Sequence, residues 1–386
     1  MYLFAAFNVS AYEWSGNAII ESRLFNHDPL QSIQSQNSLS LSFNPEFYTD
    51  WNNANQTLTI EPFVRWDEAD KERSHFDFRE FIFYSNHDDW EIKAGIGKVF
   101  WGVTESQHLV DIINQTDTIE SLDGEEKLGQ PMINYTSIQD WGNVDVFILP
   151  YFRTRIFPGI KGRLRTQAYV DNDNELYQSS KMNRHIDYAF RYSHTIDDWD
   201  FGLSHFYGTN REPEFSAGLD ARGNPVLTPF YYLLRQTGID VQLVRDDWLW
   251  KLEAVHKRSN GQKYNASTFG FEYTYVGILD TQADLGLISE YMYDSRDNLA
   301  SSPFEDDALL AMRLSFNDTQ SSEILFGLII DLDKQEKLYT LEASTRLTDN
   351  WKLNVEARVF SNTQPTSLLS DLRKDDHLQI ELQYYF

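Results

Sequence analysis

Asp111, Asn114 and Asp117 stand three residues apart in the stretch DIINQTD. That spacing gathers side-chain oxygens on one side of a turn, and such oxygens suit a hard cation such as calcium. The stretch lacks the glycine and the long loop of a dedicated calcium site, and the same residue types also cap backbone N–H groups in irregular chain. Nine histidines, at 27, 75, 87, 108, 185, 194, 205, 256 and 377, offer general bases. None lies in a Gly-x-Ser-x-Gly or His-Glu-x-x-His context. Ser204 beside His205, and His256, remain as pieces from which a hydrolase could be assembled across strands. No cysteine is present, so disulfides, thiolate metal sites and a cysteine nucleophile are excluded. The expectation is a protein that is not an enzyme and needs no cofactor or metal.

Charge narrows the partners. Fifty-nine acidic against 33 basic residues leave a formal net charge of -26, which disfavours nucleic acid. The only dense basic stretch, Arg153, Arg155, Lys161, Arg163 and Arg165, could meet lipopolysaccharide phosphates or an anionic solute, or simply be a solvated loop.

The elements that must carry these residues are strands. Aromatic residues make up 15% of the chain, and the mean hydropathy is -0.50 with no apolar run of spanning-helix length. Alternation of period two recurs instead. In HLQIELQYYF, Leu378, Ile380, Leu382, Tyr384 and Phe386 share one face; WKLNVEARVF and STFGFEYTYVG repeat the pattern. A transmembrane barrel needs only about ten alternating residues per strand, so low overall hydropathy is compatible with a membrane.

Two classes of connection separate the strands. HDDW, IDDW, RDDW and TDNW are short, each coupling turn-forming polar residues to a tryptophan that opens the next strand. Residues 156–184, 211–229, 295–305 and 361–376 are long, polar and irregular. Short turns at one rim and long loops at the other predict an all-β, closed antiparallel transmembrane barrel of about 18 strands, with about 16 also permitted. The strands fall at 13–26, 36–49, 56–68, 74–86, 90–102, 131–140, 144–155, 185–196, 199–210, 231–245, 248–258, 266–279, 281–294, 306–317, 320–333, 336–348, 350–361 and 377–386. This places every short turn on one side. Residues 1–12 read as a signal remnant or N-terminal segment, and 13–386 as a single barrel.

Residues 103–130 form the longest interior interruption and read as a plug or constriction folded inward. Thr104 and Gln107 have capping-box spacing, and Leu109, Ile112 and Ile113 recur at helical intervals, which predicts a short helix near 105–113. Facing it, Phe147, Leu149 and Tyr151 point inward if Val146, Ile148, Pro150 and Phe152 meet lipid, and Leu325, Gly327 and Ile329 do likewise. Such apolar inner patches either pack against the plug or pass an apolar substrate. Charges predicted to face the lumen, including Lys251, Glu253, Glu342, Lys352, Glu356, Arg358 and Glu381, are of mixed sign, so no strong ion selectivity is expected.

GKVFWG, then DIINQTD, then EKLGQP resembles an uncharacterised proteobacterial family of outer-membrane barrels with a Trp-Gly…Asp-x-x-Asn-x-x-Asp block. The resemblance spans Gly97 to Pro131, with support from LPYFRTRIFPG, and Gln115 stands where the family commonly has proline. It assigns Trp101, Gly102, Asp111, Asn114 and Asp117 to the constriction. It implies passage of a small, partly hydrophobic molecule or lipid, an inner-membrane exporter of the resistance-nodulation-division class as partner, and a bacterial outer-membrane location. Alginate-export-type porins share the general architecture. The terminal row Leu382, Tyr384 and Phe386 resembles the signal read by the barrel-assembly machinery, and outer-membrane lipids and lipopolysaccharide complete the expected partners.

Overall fold

A computed structural model describes residues 11–220, 223–365 and 367–386, so residues 1–10 of the N-terminal segment lie outside the described residues. The barrel strands are β1 (Ala11–Phe25), β2 (Asn37–Trp51), β3 (Gln56–Asp67), β4 (His75–Asn86), β5 (Trp90–Gly97), β6 (Gln130–Gln139), β7 (Gly142–Leu149), β10 (Asp187–Ile196), β11 (Trp199–Thr209), β14 (Leu233–Arg245), β15 (Trp248–Ser259), β16 (Gln262–Tyr275), β17 (Asp284–Asp294), β18 (Asp306–Ser315), β19 (Glu323–Asp331), β20 (Lys337–Arg346), β21 (Trp351–Ser361) and β22 (His377–Tyr385). A small second sheet is built from loop strands β8 (Tyr169–Val170), β9 (Leu176–Tyr177), β12 (Glu214–Leu219) and β13 (Pro225–Tyr231).

Each barrel strand pairs antiparallel with the next one along the chain, and β22 returns to β1 with Asn17 opposite Tyr385 and Phe25 opposite His377. The sheet is therefore a closed 18-stranded barrel. Closure leaves no open edge, which is what a spanning sheet requires where no water can satisfy the backbone. At the seam, Phe386 N donates to Gly16 O at 3.2 Å and its ring stacks on Phe43 at 5.6 Å. Gly16 has φ +148°, and a Cβ there would lie 2.6 Å from both Asn44 O and Pro45 Cα.

The outward face is apolar and aromatic around the circumference, with Trp14, Trp66, Phe81, Trp199, Trp250, Phe269, Leu310 and Phe326 all exposed. That is the surface a barrel presents to lipid. The Asp-Asp-Trp turns sit as read: Asp197 and Asp246 take positive φ and Trp199 and Trp248 open the following strands. Two short turns depart from the expectation that all short turns share a rim, one of them the five-residue connection 332–336 between β19 and β20. In the other, β15 and β16 meet on the long-loop side through Asn260–Gly261, with φ values of 49° and 75°. Asn-Gly is the pair that a two-residue hairpin favours because both positions need positive φ.

Candidate lumen site: the inserted segment and the passage beside it

The segment 98–129, between β5 and β6, runs through the lumen without a helix. Thr104 Oγ1 does donate to Gln107 O at 2.6 Å, but the following backbone N–H groups bond to the barrel wall instead of to a helical turn. Glu253 on β15 accepts Val103 N, Thr104 N and Val110 N at 2.7, 3.1 and 3.1 Å. Glu290 on β17 accepts Glu105 N and Ser106 N, both at 2.8 Å. Wall carboxylates thus do what a helix would have done for these donors, and charged acceptors make the stronger bonds. The helical spacing of Leu109, Ile112 and Ile113 reflects burial: Val110, Ile112 and Ile113 pack with Trp101, Met132, Phe147, Leu149, Phe206 and Leu234.

The side chains of the block singled out by the resemblance are held by separate partners. Asn114 Oδ1 accepts Val99 N at 2.9 Å, and its Nδ2 donates to Gly97 O and Leu128 O, tying both ends of the insert. Asp111 pairs with Lys127 at 3.0 Å and Asp117 with Arg79 at 2.6 Å. Backbone capping and ion pairing engage these side chains. Gly102 has φ +148°, and a Cβ there would meet Glu253 Oε1 and His108 Nδ1 at 3.0 Å. Trp101 is buried edge-on to Phe147 with the Arg191 guanidinium 5.2 Å over its ring.

Ion pairs fasten the insert across the barrel. Arg65 on β3 holds Glu120 in a two-pronged contact of 3.0 and 2.7 Å, Arg23 on β1 donates to Glu120 O, Arg313 on β18 pairs with Glu105, and Arg358 on β21 pairs with Asp123. Sequence reasoning missed Arg23, Arg65, Arg73, Arg79, Glu253 and Glu290 as anchors. For all but Arg73, which lies in the β3–β4 loop, an inward position in an alternating strand was the available signal.

The two apolar inner patches divide between the alternatives. Phe147 and Leu149 are covered by the insert. Ile329, with Leu309, Leu338 and Phe360, forms a separate cluster on β18–β21 that the insert does not cover; Leu369 of the 361–376 loop joins it and Leu325 packs against it. Between that stripe and the polar side of the insert lies a cavity of about 660 Å³, also lined by Arg155, Arg211, Glu212 and Lys257. Toward the short-turn rim it meets a second cavity of about 350 Å³ lined by Glu105, Asp123, Glu323, Glu342, Glu356 and Glu381, with Arg313. The two share Glu105, Asp123, Leu325 and Glu342 in their linings, so they adjoin and mark out a passage beside the insert. Glu105, Asp123 and Glu356 pair with Arg313 and Arg358, as the expected mixing of charge would have it, while Glu323, Glu342 and Glu381 have no ion-pair partner among the described residues and leave its lower part with an acidic excess.

Three expectations about loop residues change. Tyr151 and Phe152 lie beyond the end of β7: Tyr151 is exposed, with its hydroxyl accepting from Asn183, and Phe152 is buried against Tyr231 instead of facing lipid. Tyr151 therefore does not line the passage. Arg153 is fixed at the root of the insert by Asp77 at 2.8 Å and Gly129 O, whereas Arg155 does reach the passage. The dense basic stretch is not a free anion patch, since Arg163 pairs with Asp375 at 2.6 Å and Arg165 donates to the carbonyls of Ile160, Thr166 and Gln167. Ser204 faces inward and His205 outward, so these neighbours cannot act together.

At the mouth, Glu212 bridges the buried Lys257, at 3.6 Å, and Ser301 of the 295–305 loop. The Lys257 charge holds its carboxyl down to about 2. Asp70, which accepts Gly159 N and so ties two long loops together, is pushed up by burial.

No protein-family model and no curated protein matches the chain. Among solved structures, it is similar to mutants of the Rh. blastica porin, at 11% identity and a TM-score of 0.46, over 97% of this chain and 100% of that one. It is also similar to OmpT, an outer membrane protein of Vibrio cholerae, at 9% identity and a TM-score of 0.49, over 97% and 99%. The barrel assignment rests on its own strand pairing.

Proposed function

We propose that the protein is a passive channel of a bacterial outer membrane, in which segment 98–129 narrows the lumen to a side passage for small amphipathic solutes, with a preference for cations. The observation that carries this reading is the adjacency of the two cavities: an apolar stripe toward the long-loop rim borders an acidic vestibule toward the short-turn rim. An apolar moiety gains by sliding along Leu309, Ile329 and Leu338, while clustered carboxylates attract its positive end. The partly hydrophobic cargo implied by the family resemblance fits this cross-section. Hand-off from an inner-membrane exporter would enter through the same vestibule. The outward-facing Tyr384 and Phe386 support recognition of the last strand by the assembly machinery.

Reconstitution in planar bilayers under a potassium chloride gradient tests the reading. A reversal potential of cation-selective sign is expected, moving toward zero when Glu342, Glu356 and Glu381 are changed together to glutamine. Absence of conductance, or anion selectivity, would refute it.

A further inference from the structure

On the outer face near the long-loop rim, three cations stand side by side on neighbouring strands. Arg235 on β14 is directly opposite Arg258 on β15, which is directly opposite Lys263 on β16. All three are exposed, and none pairs with a carboxylate among the described residues. Like charges placed opposite one another in a sheet repel. Their grouping therefore costs stability unless an anion lies across them.

The layers beneath follow a gradient. Two residues down, His205, Thr237, His256 and Asn265 form an outward-facing polar row, with His205 Nδ1 2.9 Å from Thr237 Oγ1 and His256 Nδ1 2.8 Å from Asn265 Oδ1. Below these come Leu203 and Ile239, then Val241, Leu252 and Phe269. Each layer of two residues is roughly 7 Å along the strand. Charged, polar and apolar rows thus descend at the spacing of a lipid's phosphate, its ester or amide region and its acyl chains. Elsewhere the same rim carries Leu24, Leu39, Trp66 and Phe76, so the cationic row is local to β14–β16.

The connection above the site is short. The Asn260–Gly261 turn is the tight hairpin on the long-loop rim, and it joins the strands bearing Arg258 and Lys263. A long loop there would cover the row. Glu214 on β12 accepts from Asn260 Nδ2 at 3.1 Å at this corner and forms no ion pair with the three cations.

The geometry points to a docking site on the outside of the barrel for the phosphates of a lipopolysaccharide molecule, held by Arg235, Arg258 and Lys263 with its acyl chains against β14–β16. Multiple cations in one plane match a headgroup bearing more than one phosphate better than a single-phosphate lipid. This inference rests on the outer-membrane reading above for the leaflet the row faces.

Native mass spectrometry of the full-length barrel, inserted in phosphatidylcholine vesicles doped with bisphosphorylated lipid A, tests it. The wild type is expected to retain lipid A, and the R235Q/R258Q/K263Q variant to retain roughly tenfold less or lower still. The R235K/R258K variant, which keeps the charge, should retain it and shows that the surface tolerates substitution. Equal retention by the glutamine variant would overturn the proposal, as would equal binding of phosphatidylglycerol, inorganic phosphate or dephosphorylated lipid A by the wild type. Insertion is scored separately by resistance to carbonate extraction. A chain that fails to insert sinks the outer-membrane reading on which the site depends.

Discussion

Glu253, fully buried on β15, accepts the backbone N–H of Thr104 at 3.1 Å. The contact joins residues 149 apart in sequence and sets where the insert crosses the lumen. Because the carboxylate also takes Val103 N and Val110 N, its loss leaves several buried donors without partners.

Glu253→Ala should loosen the insert by about 2–4 kcal/mol, the scale of losing charge-assisted bonds at a buried site. Single-channel recordings should then show larger and noisier conductance. Glu253→Gln keeps one acceptor and should lie between. Conductance in Glu253→Ala identical to wild type would mean that the insert is held without this carboxylate.

Ile329 lies in the apolar stripe of the passage. Ile329→Asn should reduce liposome uptake of amines with an apolar tail by roughly fivefold, the scale of one lost apolar contact. Potassium chloride conductance should change little, because small ions need no contact with the stripe. A parallel drop in both would show that the variant narrows the pore generally.

Glu212 gives the mouth a defined response to acid. Its folded carboxyl is held down to about 2 by Lys257, below the ordinary glutamate value of 4.5. Folded protein therefore binds that proton less readily than unfolded protein, so the stabilisation is fully present above about 4.5 and is lost as pH falls toward about 2. Thermal unfolding followed by gel mobility should show a shallower decline across this window in Glu212→Gln than in the wild type. Superimposable pH profiles would remove Glu212 from the mouth's stability.

Gly16 at the barrel seam has φ +148° and backbone atoms where a side chain would start. Gly16→Val should destabilise closure by about 1–3 kcal/mol from backbone strain alone, with the clash adding to it. The folded, heat-modifiable band should disappear at a lower temperature than for the wild type. Unchanged mobility would mean that the seam can shift to make room.

The alternation in HLQIELQYYF, WKLNVEARVF and STFGFEYTYVG was enough to determine strands, a two-faced sheet and a closing tail. The reason is local: successive side chains on a strand point to opposite faces whatever surrounds them. Turn chemistry was equally local, and Asn260–Gly261 was legible by the same rule that identified the Asp-Asp-Trp turns. What occupies the lumen was not legible. Whether Thr104 begins a helix or bonds Glu253, whether Arg163 is free or paired with Asp375, and whether Phe147 or Ile329 borders open space depend on partners far away in the chain. A buried charge or amide takes the partner that three dimensions bring within reach, because leaving it unpaired costs more than any local preference provides. The sequence by itself therefore determined the barrel, while the tertiary structure decided which inner wall is covered, which remains open, and that the open one is acidic below and apolar above.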